Sequence, residues 1–242
     1  MHMSNGKRLT STVTSQSTVQ LSVEEFEVPT PGPDEVLIAV EASPINPSDL
    51  GLLLAGADAS TVSKSENGLV LSLPDGAVDA LTGRVDHAMP VGNEGAGIVV
   101  DAGSEEEAQA LQGQVVAVLA GGMYATHRIA KARDCLVLQE GTKAVDAASC
   151  FVNPLTALGM TETMRMEGHS ALIHTAAASN LGQMLNRICI DDEIALVNIV
   201  RREEHVELLK SQGATHVVNS SSPDFRSELV DAITATGATV GF

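Results

Sequence analysis

The 242-residue sequence has no tryptophan, one tyrosine and four phenylalanines. Tyr124 and Phe151 are therefore the only plausible aromatic pocket walls near the motifs discussed below. Basic residues are scarce as well: 14 Lys plus Arg face 31 Asp plus Glu, a net charge of -17. Such a surface repels polyanions and argues against nucleic acid or an anionic membrane as the main partner. Three cysteines, Cys135, Cys150 and Cys189, are too few and too widely spaced for a disulfide framework or a Cys-x-x-Cys metal site, and read as buried apolar fillers. The seven histidines are scattered, with His174 inside an expected strand, and none is read as a metal ligand. No apolar run approaches the roughly 20 residues that span a bilayer, and Met1-His-Met-Ser-Asn-Gly-Lys-Arg leads into no signal-peptide core. A cytoplasmic protein is expected.

What is present divides into two textures. Residues 20–137 carry short apolar or alternating runs broken by Gly and Pro, among them Val36-Leu-Ile-Ala-Val, Gly97-Ile-Val-Val and Val115-Val-Ala-Val-Leu, which predict an irregular β domain. Within it, residues 54–88 read as a polar insertion, and Ser104-Glu-Glu-Glu as a solvated loop or helix start. From about Ala144, helical periodicity alternates with strands at residues 171–174, 194–200, 216–218 and 239–242, the pattern of half a doubly wound parallel sheet. The expected domains are 1–145 and 146–242.

The most informative stretch is Ser170-Ala-Leu-Ile-His-Thr-Ala-Ala-Ala-Ser-Asn-Leu-Gly-Gln: a buried strand, a small-residue turn and a helix. Dinucleotide binding needs a chain reversal, close backbone approach to a pyrophosphate, and a helix N-terminus with free N–H groups. Ala177, Ser179 and Gly182 occupy the places that three glycines usually fill. Ser179 and Asn180 could cap the helix or donate to a phosphate, and the amide of Leu181 joins them. An ordinary strand-to-helix turn fits the same pattern. The next strand ends in Arg201 and Arg202, with no carboxylate before Glu203. That exchanges the acid that would accept the ribose 2′-hydroxyl of NAD for cations suited to the 2′-phosphate of NADP(H). The alternative is a solvated pair opening a helix.

Pro29-Thr-Pro-Gly-Pro-Asp-Glu-Val-Leu-Ile, Ile45-Asn-Pro-Ser-Asp, Val91-Gly-Asn-Glu-Gly-Ala-Gly-Ile-Val, Gly122-Met-Tyr-Ala-Thr and Val152-Asn-Pro-Leu-Thr-Ala-Leu precede that segment. In this order the set resembles the medium-chain dehydrogenase/reductases, from about residue 20 to the last. Within them it is similar to zinc-independent quinone oxidoreductases and enoyl thioester reductases. The resemblance implies an α/β protein, a GroES-like catalytic domain followed by a Rossmann domain, with hydride transfer from NADPH and a homodimer when full length. It also implies that Asn46 lies beside nicotinamide and substrate, and that Thr156 faces the nicotinamide amide. An Asn-Pro turn residue, with Asp49 capping the next helix, and a Thr on a packed helix are the alternatives. Val152-Asn-Pro-Leu-Thr-Ala and Asn198-Ile-Val-Arg-Arg resemble the enoyl subgroup closely, which adds Asn198 to the cofactor candidates.

Zinc-dependent relatives carry a Cys, a Gly-His-Glu and a four-cysteine lobe; here Asn46 and Pro47 stand near the first place, Asn93 replaces the His, and the lobe is absent. No metal is expected. The segment after Asn-Pro-Ser-Asp lacks the Tyr that relatives often use as proton donor. Tyr124 could substitute, although a packing residue is the alternative, so Asn46 and Tyr124 are the weak catalytic candidates. A quinone tolerates that loss, because its reduced oxygens take protons from water. The sequence reading is thus an NADPH-dependent reductase of a quinone or similar activated carbonyl. A 2-enoyl thioester reductase and a non-catalytic nucleotide-binding scaffold or sensor stand as alternatives. Residues 239–242 read as the fourth of six Rossmann strands, so a truncated chain is expected.

Overall fold

The computed structural model describes residues 5–242; residues 1–4, the start of the Met1-to-Arg8 segment read above, lie outside them. The chain forms two compact units, Met1–Val152 and Asn153–Phe242. The division falls seven residues after the boundary expected from texture, because the four-residue helix Ala144–Ala147 packs with its Ala144 and the following Ala148 against Ala96 and Ala117 of the β domain.

In the first unit, β1 (Asn5–Thr14) and β2 (Thr18–Glu27) form a hairpin, and β3 (Glu35–Ala42) leads to helix α1 (Pro47–Leu54). Then come β4 (Asp58–Ser65), β5 (Gly68–Ser72), β6 (Met89–Pro90), β7 (Glu94–Ala102), β8 (Val115–Leu119), β9 (His127–Lys131) and β10 (Cys135–Val137). They build two five-stranded sheets, β4-β5-β2-β1-β6 and β10-β8-β7-β3-β9, antiparallel throughout. Alternation explains the cores: Val36 and Ile38 of β3 meet Val99, Val116 and Val118, whereas Val13, Val19 and Leu21 form a second cluster.

Residues 54–88, expected to be a polar insertion, instead add two strands to the first sheet. β4 is exposed along nearly its whole length, so no apolar period marks it. β5 lies flat against β2, and Leu71 and Leu73 enter the second core cluster. Gly68 permits this: a Cβ there would sit 1.8 Å from the Leu21 carbonyl oxygen. The acidic run after Ser104 opens a short helix, Glu106–Gln109, at the surface.

The second unit alternates helix and strand: α2 (Val152–Met166, starting at the boundary), β11 (Ala171–His174), α3 (Asn180–Asp191), β12 (Ala195–Val200), α4 (Glu203–Ser211), β13 (His216–Asn219), α5 (Phe225–Thr236) and β14 (Val240–Gly241). All strand pairs are parallel, in the order β13-β12-β11-β14. The order reverses at β11, the switch point where doubly wound sheets bind ligands. Both sheet faces are covered. Leu172 and Leu196 pack against Leu185 and Cys189 of α3 and Met164 of α2, while Ala171, Val197 and Val218 meet Ala232 of α5. The protein is an α/β chain with a GroES-like β unit and a Rossmann unit. No helix among the described residues is long and apolar enough to cross a membrane.

Candidate functional site

The turn after β11 brings the small residues together as the sequence suggests. Ala176 takes a left-handed backbone (φ 53°) and reverses the chain, and Ser179 becomes the N-cap of α3, its Oγ accepting the Gly182 N–H at 3.1 Å. The Asn180 and Leu181 N–H groups, at the helix start, have no intrahelical acceptor. Gly182 is required sterically: a Cβ would lie 2.3 Å from the Ala177 carbonyl oxygen and 2.6 Å from its carbon. Helix therefore rides directly on the turn.

Beside this turn, a cavity of about 360 Å³ is lined by Ala176, Ala178, Ser179, Arg201, Arg202 and His205, with Val200 at its base. Arg201 and Arg202 are exposed. Arg202 is the N-cap of α4 and reaches Glu204 at 3.1 Å, a surface pair of small energetic worth that a phosphate could replace. His205, three residues on, was not singled out by sequence reasoning; its i+3 spacing from Arg202 is the signal that could have found it. Small residues, free helix amides and cations on a neighbouring strand end fit a phosphate-bearing dinucleotide.

Asn198 lies elsewhere. It is fully buried and donates from Nδ2 to Asn186 Oδ1 of α3 at 3.2 Å. Two residues after Leu196, it shares that residue's face, which looks into the helix rather than the cavity. His174, its register partner on β11, is also buried, and burial lowers the imidazole below its usual range. Neither His174 ring nitrogen nor Asn198 Oδ1 has a hydrogen-bond partner among the described residues. Thr156 is exposed on α2.

In the first unit, Asn46 is the N-cap of α1, with Pro47 in the first turn. Its backbone N–H donates to Asp49 Oδ2 at 2.8 Å, and Asp49 Oδ1 accepts the Asn93 N–H at 2.9 Å. Asp49 thus ties the two motifs together, the capping role foreseen for it. Asn46 is 4% exposed, and its carboxamide donates from Nδ2 to Glu94 Oε1 at 2.7 Å. Glu94 is 1% exposed, and its other oxygen accepts the Phe151 and Val152 N–H groups at 2.8 and 3.0 Å. Three donors make a buried carboxylate tolerable. Sequence reasoning passed over Glu94, although it stands in the Gly-Asn-Glu set against Gly-His-Glu, because the partners that give it a role lie 48 or more residues away.

Tyr124 packs its ring on Gly92, where a Cβ would meet it at 2.6 Å, and its hydroxyl donates to the Pro44 carbonyl at 2.9 Å. Burial, with the nearby Asp49 charge, pushes the phenol up to about 12. Its proton is therefore held and already engaged. The Asn93 carboxamide donates to Ser48 Oγ at 3.1 Å. Among the described residues no three His, Cys, Asp or Glu side chains gather where they could hold a metal ion. Cys135, Cys150 and Cys189 are free; Cys189 is buried and its thiol is pushed up to about 12, whereas Cys135 and Cys150 are only partly covered.

No family model matches the chain. It is 28% identical to a mitochondrial enoyl-[acyl-carrier-protein] reductase of Xenopus tropicalis, over 82% of this chain and 51% of that protein. It is 25% identical to an NADPH quinone oxidoreductase of Kluyveromyces marxianus, over 91% of this chain and 57% of that one. The chain thus spans little more than half the length of these curated relatives. Among solved structures, a candidate NADPH:quinone reductase of Mesorhizobium loti superposes with a TM-score of 0.71 at 28% identity, covering 98% of this chain and 67% of that one. Ordered motifs, two-unit fold and relatives converge: the proteins this chain is similar to are NADPH quinone oxidoreductases and enoyl reductases, consistent with the zinc-independent branch of the medium-chain dehydrogenase/reductases.

Proposed function

We propose that this chain is an NADPH-dependent reductase that passes hydride to a quinone or similarly activated carbonyl without zinc. The observation that carries this reading is the cavity in which Arg201, Arg202 and His205 face Ser179 across the Rossmann turn. When bound, NADP(H) supplies the hydride. Arg201 and Arg202 hold the 2′-phosphate, with His205 at the same cavity wall. The Asn180 and Leu181 amides at the start of α3 hold the pyrophosphate, and Gly182 keeps the helix close enough for them to do so. Thr156 serves the nicotinamide half.

Asn46 orients the reacting groups. Glu94 fixes the direction of its carboxamide, so no reorganisation is needed when an acceptor binds. The absence of a metal step is supported by the residues at the zinc-ligand places, since Asn46 and Asn93 are both engaged in hydrogen bonds to Glu94 and Ser48. Tyr124, with its hydroxyl committed to Pro44, is a packing residue, which favours an acceptor whose reduced oxygens take protons from water. A cytoplasmic setting suits the three free thiols, and a homodimer is part of the same proposal through the family resemblance. Similarity to the Xenopus enoyl reductase supports a second reading, reduction of a 2-enoyl thioester.

NADPH oxidation assayed with a panel of quinones and with a 2-enoyl thioester tests both readings. Turnover with quinones is expected. Turnover with the thioester alone would replace the first reading by the second, and cofactor binding without turnover of either would leave a nucleotide-binding scaffold.

A further inference from the structure

The first unit carries a second basic concavity that shares no residue with the sites above. A cavity of about 260 Å³ is lined by Arg8, Phe26, Glu27, Pro90, His127 and Arg128, among others. A bridge between Arg8 and Ala125 brings β1 alongside the entry to β9, so the two arginines share one wall. Arg8 lies over the Phe26 ring, 5.5 Å from its centroid, and reaches Glu24 at only 3.4 Å. Arg128 donates from Nη2 to the Ala120 carbonyl at 3.1 Å and has no carboxylate partner among the described residues. The Nε atoms of both are buried without partners.

This arrangement is unfavourable as it stands. Burial disfavours the charge on Arg128, and the charge of Arg8 disfavours it further. Acidic residues outnumber basic ones 31 to 14 in this chain, yet none bridges the pair; Glu27, exposed beside it, pairs with neither. Arg84 also has a buried Nε without a partner and a charge disfavoured by burial, so what sets Arg8 and Arg128 apart is that two guanidinium groups line one cavity. The Arg84 guanidinium donates to the Leu52 and Gly51 carbonyls at 2.6 and 3.5 Å near the end of α1, with no second cation beside it. Two guanidinium groups lining one cavity beside an aromatic ring offer the planar N–H donors that recognise an oxyanion.

We propose that this cavity binds a small organic oxyanion, a carboxylate or phosphate group on a compact apolar body, with its charged end between Arg8 and Arg128 and its body against Phe26 and Pro90. At about 260 Å³ the cavity is smaller than the roughly 300–1,000 Å³ of sites for drug-sized ligands, which fits a compact ligand.

The test uses benzoate and phenyl phosphate as probes, with sodium chloride at equal ionic strength as control. It is run on the chain carrying Arg201→Ala and Arg202→Ala, so that the cavity beside the Rossmann turn does not answer. A saturable rise in thermal midpoint is expected with one or both probes, and which probe acts tells carboxylate from phosphate. Adding Arg128→Met or Arg8→Gln should weaken half-saturation by about tenfold or more, the value of a charged hydrogen bond. Arg128→Met should fold without any probe, because Met keeps most of the apolar stem of a half-buried side chain whose charge burial disfavours; should it not, Arg8→Gln carries the comparison. No saturable rise with either probe, or an equal rise in both variants, would overturn the proposal.

Discussion

Replacing Gly182 by alanine sets two effects of opposite sign against each other. In an exposed helix interior, Gly→Ala stabilises by up to about 1 kcal/mol, because alanine loses less backbone freedom on folding. At Gly182 the added Cβ would stand 2.3 Å from a backbone oxygen and 2.7 Å from the Ala177 Cα, where ordinary contacts begin near 3.4 Å. About an ångström must open between α3 and its turn, and neither side is a flexible side chain. Leu185 and Cys189 of the same helix are fully packed against the sheet, so the helix cannot retreat freely. Overpacking of this kind costs about 1–3 kcal/mol, and a backbone clash belongs at the upper end. The net expectation is a loss of about 2 kcal/mol, or roughly 10 °C in Tm for a unit of this size. Gly159, in the middle of α2, has nothing within 4 Å of the position a Cβ would take, and Gly159→Ala isolates the propensity term. Thermal and urea unfolding of the two variants should move in opposite directions from the parent. If Gly182→Ala is as stable as the parent, or matches the gain at Gly159, the close approach of helix to turn is refuted.

Ser179→Asp keeps an N-cap acceptor of equal quality and adds a charge that the helix dipole favours, so apo stability should stay within about 0.5 kcal/mol; NADPH affinity should fall at least tenfold, and undiminished binding would remove the pyrophosphate from this turn. Asn46→Asp would face two carboxylates across the 2.7 Å now bridged by a hydrogen bond. One of the pair must then have a raised pKa, the folded state binds more protons than the unfolded one, and stability is lost as pH rises from the usual carboxylate range near 4 through the raised value. Urea unfolding of this variant against the parent should show a deficit that widens from pH 5 to pH 8; a pH-independent deficit would contradict the Glu94 contact. Tyr124 is the sole tyrosine in a chain without tryptophan, so alkaline absorbance titration reports it alone. Its phenol should ionise only at about 12, and ionisation near 10 would show the hydroxyl to be solvated rather than held by Pro44.

Much of the second unit is legible because its information is local. Parallel strand and helix periods fix the alternation, and Ala177, Ser179 and Gly182 fall where a tight turn needs small residues; Ser179 at the cap follows from residue type alone. The reading fails where the deciding partner is remote. Asn198 sits on the strand beside the arginines, yet side-chain alternation turns it toward Asn186, and only the strand's register reveals that. Glu94 acquires its place through Asn46 on one side and Phe151 and Val152 on the other, a meeting that no short window contains. The polar strand β4 looks like a loop because both of its faces are wet, and it exists by pairing with β5, whose Leu71 is buried.

The most direct test is the comparison of NADPH and NADH affinities, by calorimetric titration, for the parent chain and for the chain with Arg201→Ala and Arg202→Ala. A phosphate held by a charged donor is worth about 1.5–3 kcal/mol, so the parent should prefer NADPH by about tenfold or more, and the double variant should bind the two cofactors equally. Equal affinities in the parent, or a preference that survives loss of both arginines, would contradict the assignment of this cavity to the 2′-phosphate.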